Sequence, residues 1–86
     1  MQLIGIDVSK RKNKKYVAHI KDEYGHIKHV NFGDCRYQHY EDKTKIKKYQ
    51  YLNHYDDERR KAYKALTKGS RHRKWSASWF SDKYLW

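Results

Sequence analysis

The stretch Lys15–Phe32, KYVAHIKDEYGHIKHVNF, decides the fold. Tyr16, Ala18 and Ile20 recur at every second residue. That period marks a half-buried strand, because successive side chains of a strand point to opposite faces of its sheet. Asp22–Gly25 reads as a short turn, with Gly25 where a left-handed backbone is often needed. His26–Phe32 makes the next strand. Its pattern is imperfect, since Ile27 falls on the other side from Val30 and Phe32, as a bulge or a two-sided strand would explain.

Towards the N-terminus, Met1–Val8 alternates as well, with Ile4, Ile6 and Val8 on one side. Ser9–Lys14 is a basic loop in which Asn13 suits a positive-φ position. Connections this short pair the strands antiparallel. Towards the C-terminus, Gly33 ends the sheet region and helical spacing takes over. Thr44 is placed to cap a helix that turns Ile46, Tyr49 and Leu52 inward and ends at Asn53–His54. Asp56 or Asp57 caps a second helix running to about Thr67. Arg59, Ala62, Tyr63 and Leu66 share its inward face by their spacing, and Arg60, Lys64 and Lys68 line the opposite one. Asp56, Asp57 and Glu58 suit the positive end of the helix dipole, and Lys68–Gly69 reads as a cationic last turn with a glycine terminator. Gly69–Lys74 is a basic connector, and Ser76–Trp86 a short helix or turn pinned by Trp79, Phe80, Tyr84 and Trp86. The expected class is α+β: a small three-stranded antiparallel β-meander over residues 1–33, then two or three short α-helices over 34–86, in one small basic domain.

With 86 residues the chain buries only about 60% of the surface its unfolded form exposes. Leu, Ile and Val are scarce, whereas nine Tyr, three Trp and two Phe bring the aromatic fraction to 16%. Rings must therefore build much of the core, with the polar edges of Tyr and Trp reaching water or partners. One cysteine, Cys35, excludes an internal disulfide. No apolar run approaches the roughly 18 residues of a membrane span, and Met1–Val8 is too short and too soon polar for a signal peptide. An intracellular or virion-interior environment is expected, and not secretion.

The formal charge is +11, from 21 basic and 10 acidic residues. Such a surplus favours a polyanionic partner, with nucleic acid, acidic protein surfaces and anionic lipid as the classes to weigh. The cations cluster. Ser9–Lys15 holds five of them, Arg59, Arg60, Lys61, Lys64 and Lys68 stud the second helix, and Arg71, Arg73 and Lys74 follow. Such groups neutralise phosphates and release counterions, while neighbouring Tyr and Trp stack on bases. The expected nucleic-acid contacts are Lys10, Arg11, Lys12, Lys14, Arg60, Lys64, Lys68, Arg71, Arg73 and Lys74.

Catalytic patterns are absent: there is no G-x-S-x-G, P-loop, G-x-G-x-x-G or H-E-x-x-H. The opening strand IGIDVSK, Ile4–Lys10, resembles the first strand of RNase H-like nucleases and of some insertion-sequence transposases, whose aspartate, here Asp7, holds a catalytic metal. That chemistry needs converging carboxylates and a central five-stranded sheet with crossover helices, and this chain has neither the length nor the sheet pattern. A metal staple from Cys35, His39, His54 and His72 is left open, although the spacing matches no common zinc motif. No cofactor is expected.

The central segment Phe32–Tyr63, FGDCRYQHYEDKTKIKKYQYLNHYDDERRKAY, resembles the signature of a family of short, basic, uncharacterised proteins of large double-stranded DNA viruses of algae and amoebae. The residues carrying it are Phe32, Gly33, Asp34, Tyr37, Tyr40, Asn53, His54, Asp56, Arg59, Arg60 and Tyr63, with Lys14–Ala18 and Ser81–Trp86 similar too. Where the family pattern continues after the tyrosine into Arg-His, this chain has Lys64-Ala-Leu-Thr-Lys-Gly, and Arg71-His72 comes later. The resemblance implies a viral context and no catalytic residues. Within the motif, Phe32, Gly33, Asp34, Tyr49, Asp56, Arg59 and Tyr63 read as structural. Tyr49 and Tyr63 pack inward, and Arg59 lies along tyrosine rings and pairs with Asp34 or Asp42. Tyr51, Tyr55, Arg60 and Lys64 stay outward for a partner. The expected function is non-enzymatic binding of nucleic acid, DNA ahead of RNA, with little sequence preference, in a genome-associated or packaging role. The alternative is a virion structural protein, a minor capsid or core-cementing component, acting through its aromatic C-terminus and strand edges on acidic capsid or core proteins.

Overall fold

The computed structural model describes residues 1–86. Three strands, β1 (Gln2–Val8), β2 (Lys14–Lys21) and β3 (Ile27–Asp34), precede two helices, α1 (Asp57–Leu66) and α2 (Ala77–Tyr84). The strands form one antiparallel sheet in the order β1-β2-β3. The α+β meander-then-helices class is therefore as the alternation indicates. Gly25 at φ 84° and Asn13 at φ 65° make the left-handed turn positions. Asp22 closes its turn by accepting from the backbone N–H of Tyr24 and His26, each at 2.9 Å.

Register sorts the side chains. Tyr16 lies opposite Val8 and Phe32, and Ala18 opposite Ile6 and Val30, so these share one face. On β1 the pairing shifts between Leu3 and Gly5, which makes Ile4 the extra residue of a bulge. Ile4 is exposed, and Leu3 rather than Ile4 joins Ile6 and Val8 against the core. The register of β3 is unbroken, so Ile27 simply faces outward.

The core is Tyr16, Ala18, Ile20, Phe32, Tyr49, Phe80 and Leu85. Phe80 stacks on Phe32 at 5.6 Å and Tyr49 meets Tyr16 edge-on at 5.3 Å. Complete burial of one such side chain stabilises the fold by roughly 1.5–3 kcal/mol. The aromatic C-terminus thus covers the sheet. Ser76 caps α2 by accepting from the N–H of Trp79 at 3.1 Å.

The helix expected from Thr44 does not form, and only a 3₁₀ turn, Gln50–Leu52, occupies that segment. The cause is local competition for backbone groups. Buried Asp42 accepts from the N–H and hydroxyl of Thr44, at 2.9 and 2.6 Å, from the Tyr16 hydroxyl, and from the N–H of Tyr49 at 3.3 Å. The Thr44 hydroxyl in turn accepts from Lys47 N–H, and Lys47 sits at φ 54°, which interrupts any helix. Ile46 is consequently exposed, while Tyr49 still reaches the core.

A second buried polar group lies beside it. The Lys15 ammonium donates to the Tyr37 carbonyl at 2.9 Å and to His39 Nδ1 at 2.8 Å. His39 Nε2 then donates to Asn53 Oδ1 at 2.7 Å, an oxygen that also accepts from Asp42 N–H. Burial pushes Lys15 down to about 8, against the pull of Asp34 and Asp42. Burial and the adjacent Lys15 charge push His39 down to about 4. Burial raises Asp42, but the Thr44 and Tyr16 hydroxyls and two backbone N–H groups outweigh it and hold the carboxyl below its usual range. Burial and the Asp42 carboxylate raise Tyr16 to about 12.

Helix α1 is capped by Asp56, which accepts from Glu58 and Arg59 N–H at 3.0 and 3.2 Å. None of its residues is buried, and it is fastened along one stripe. Tyr63 stacks on Trp86 at 4.1 Å and 6°, Arg60 Nε donates to the Trp86 backbone oxygen at 2.8 Å, and Lys64 pairs with Asp82. The inward face is therefore Arg60, Tyr63 and Lys64, about one residue round from the face the spacing indicates. Leu66 is 86% exposed. Gly69 is not a left-handed terminator; Thr67 closes the helix instead.

Candidate nucleic-acid interface

Of the ten cations assigned to nucleic acid by sequence, Lys10, Arg11, Lys12, Lys68, Arg73 and Lys74 are exposed, and Lys14 is half-buried. Three others, Arg60, Lys64 and Arg71, are half-buried and engaged within the fold. Arg60 holds the Trp86 backbone and lies 4.7 Å over the Tyr40 ring. Lys64 pairs with Asp82, and Arg71 comes within 3.8 Å of the same carboxylate. Arg60 and Lys64, on the inner stripe of α1, reach Trp86 and Asp82, where Tyr63 stacks on Trp86 and Arg71 approaches Asp82.

The structural motif is corrected at two positions. Arg59 neither lies along tyrosine rings nor pairs with Asp34 or Asp42; it is exposed and donates to Gln38 Oε1 at 2.8 Å. Asp34 is taken by Arg36 at 2.7 Å, whose hydrogen bonds hold the carboxyl at about 2. Phe32 and Tyr49 are buried, and Asp56 is the cap. Gly33 is required by its backbone: at φ 76°, a Cβ there would lie 2.8 Å from Leu85 Cδ1 and 3.0 Å from Lys15 Cδ. Tyr51 and Tyr55 face solvent.

The His and Cys residues weighed as a metal set are dispersed among other tasks. His39 sits between Lys15 and Asn53, His54 Nδ1 accepts from Asp56 N–H, and His72 is exposed. Nowhere do three His, Cys, Asp or Glu groups gather as metal ligands.

Two concavities bring assigned cations together with other chemistry. A cleft of ≈ 520 Å³ between the sheet end and the helices has Lys14, Arg59, Tyr63 and Trp86 in its wall. A basin of ≈ 640 Å³ lies on the sheet face that the helices leave open. It is lined by Asp7, Val8, Lys10, Arg11, Val17, His19, His29 and Asn31. Here His19 Nε2 donates to Asp7 Oδ2 at 2.8 Å, and His19 Nδ1 lies 2.7 Å from His29 Nδ1. The two rings meet edge-to-face at 4.9 Å. Asp7, read from sequence against a metal-bound role, is thus a hydrogen-bond partner of histidine. Sequence reasoning passed over His19 and His29 because it sought metal spacing along the chain. Their juxtaposition is a cross-strand one, 19 opposite 29, fixed by the Asp22–His26 turn.

Across the molecule, three of the 21 Lys and Arg side chains, Arg36, Lys64 and Arg71, lie within 4.0 Å of a carboxylate. The other 18 have no carboxylate oxygen within that distance. No helix is long and apolar enough to cross a membrane. Compared with protein-family models, curated proteins and solved structures, the chain finds no match.

Proposed function

We propose that this chain is a non-enzymatic basic protein that binds nucleic acid with little sequence preference, DNA ahead of RNA, in a genome-associated or packaging role. The viral setting rests on the sequence resemblance of residues 32–63. The observation that carries the binding reading is the β1–β2 loop: Lys10, Arg11 and Lys12 are exposed and free of carboxylate partners, and Lys10 and Arg11 border the open sheet face. Unpaired cations at the rim of an open basin suit phosphates spaced along a backbone. They supply affinity without reading bases.

The alternative reading, a capsid or core-cementing protein, assigns contacts to the aromatic C-terminus and to the strand edges, here β1 and β3, with cations meeting acidic protein surfaces. Phe80 and Leu85 are buried and Trp86 is stacked on Tyr63, so the C-terminal surface is already occupied from within. Nucleic-acid binding is therefore the stronger proposal.

The test is a salt series of fluorescence-anisotropy titrations with labelled duplex DNA, single-stranded DNA and RNA. Replacing Lys10, Arg11 and Lys12 together by Ala is expected to flatten the plot of log affinity against log salt by about 2–3 units of slope. Equal affinity and slope in the parent and the triple variant would sink the proposal.

A further inference from the structure

The basin on the open sheet face holds a hydrogen-bonded chain drawn from all three strands: Asp7 of β1, His19 of β2 and His29 of β3. The proton positions follow from the bonding. An ionised carboxylate only accepts, so His19 Nε2 carries a hydrogen towards Asp7. Between the two Nδ1 atoms there is room for one proton. In the neutral chain His19 has its hydrogen on Nε2, so its Nδ1 accepts and His29 Nδ1 must donate. His29 then has no hydrogen left for Nε2. That nitrogen belongs to an exposed side chain and has no protein partner. The chain of bonds therefore fixes one tautomer and presents a lone pair at the basin surface.

Proton uptake at that nitrogen changes its character. The lone pair becomes an N–H donor, and the positive charge is shared along the chain towards the Asp7 carboxylate. The charged groups lining the basin are Asp7 from β1 and Lys10 and Arg11 from the β1–β2 loop; Val8, Val17 and Asn31 complete the lining, and exposed Lys21 lies further along the same face of β2. With the chain neutral, the groups lining the basin sum to one positive charge, and with it protonated, to two. Asp7 is bound at the far end from His29, so it acts as counter-charge to the histidines and leaves the His29 end to an anion.

We propose that Asp7, His19 and His29, with Lys10 and Arg11, form a proton-gated seat for a phosphodiester group. Protonation of the pair turns the His29 end from a hydrogen-bond acceptor into a donor and adds one positive charge beside Lys10 and Arg11. This rests on the nucleic-acid reading for its macromolecular ligand and adds to it a specific phosphate position and a dependence on pH.

The experiment has two arms. In the first, affinity for a labelled oligodeoxythymidylate is measured at about pH 8 and about pH 5.5 in roughly 0.1 M salt for the parent protein, His29→Ala and Asp7→Asn. One added charge is expected to raise parental affinity for this single strand about fivefold beyond any rise in His29→Ala, and to steepen the salt slope by about 0.7. Asp7→Asn keeps an acceptor for His19 Nε2 but removes the counter-charge. Its affinity is expected to be higher than parental at about pH 8, with the rise moved to lower pH. An identical pH response in the parent and His29→Ala overturns the proposal.

The second arm needs no nucleic acid. Dimethyl phosphate, whose single charge is constant over this range, is titrated while the histidine ring nitrogens are followed by NMR. A saturable shift of His29 at about pH 5.5, absent at about pH 8 and absent from exposed His26, is the expected result. Equal shifts of His26 and His29, or none, overturn the seat. If DNA does not bind at any pH but dimethyl phosphate shifts His29 as described, the seat stands and the nucleic-acid reading fails.

Discussion

The two faces of β2 come from alternate residues of one eight-residue strand, yet they do different work. Tyr16, Ala18 and Ile20 are at most 1% exposed and meet Phe32, Tyr49 and Phe80. On the other face, Val17 and His19 look into an open basin with Asp7, His29 and two free cations. A strand's period of two lets a small protein pack one face and leave the other open without adding residues. Here the separation is incomplete at one point: Lys15, on the open side by parity, is buried at the sheet end, where residues 37–39 fold over it.

The sharpest way to break the comparison is to empty the covered face. Phe32→Ala removes the ring that stacks on Phe80 and leans on Tyr16. Its expected cost is about 3–5 kcal/mol, enough to unfold much of a marginal 86-residue domain. A urea titration followed by circular dichroism checks this. A loss below about 1 kcal/mol would mean that the rings are not the core.

This same face was the legible part of the sequence. The alternation of Tyr16, Ala18 and Ile20 and the turn at Gly25 suffice for the meander, because register and burial both follow from a period of two. The segment from Thr44 to Leu52 misled for a stated reason: its apolar spacing is helical, but Asp42 and Thr44 offer the backbone better local partners. The stripe on α1 was misplaced because apolar spacing suggests Leu66 inward, whereas the contact is made by Arg60, Tyr63 and Lys64 against Trp86 and Asp82. Nothing in the order of residues announces a partner 18 or 26 positions away. The Asp7–His19–His29 chain was accessible in principle, since pairing Asp22 with His26 sets 19 against 29. It needed the register first.

The buried end of the open side gives the next effect. Lys15 is held near 8, below the 10.5 of a free lysine, so the unfolded chain binds more protons than the native one between those values. Stability must then rise as pH rises from about 8. Tyr16 opposes this above its ordinary value of 10.0, because its native value of about 12 makes the native state the better proton binder there. A gain of about 2 kcal/mol is therefore expected over roughly two pH units above 8, and Lys15→Met should abolish it. His39 works on the acid side. Its value of about 4, against 6.5 when free, places its contribution above 6.5 and removes it as pH falls towards 4. Since the Lys15 charge is one cause of that depression, Lys15→Met should also make the acid loss shallower. Urea midpoints measured across pH decide both. An unchanged alkaline limb in Lys15→Met would show that the amine is not buried charged.

The smallest effect is the most discriminating for the open face. His29→Ala deletes an exposed ring whose side-chain hydrogen bond and ring contact are to His19, and the register of β3 is set by its backbone ladder and by Phe32 and Val30 beneath. Its expected cost is within about 0.5 kcal/mol by urea titration, as for most exposed substitutions. The same variant is expected to lose the pH response of binding. That combination, a nearly silent change in stability with a clear change in affinity, is what distinguishes a surface kept for a ligand from one that supports the fold. A loss above about 1 kcal/mol would place His29 among the residues holding the sheet together, and the two faces of β2 would no longer differ in kind.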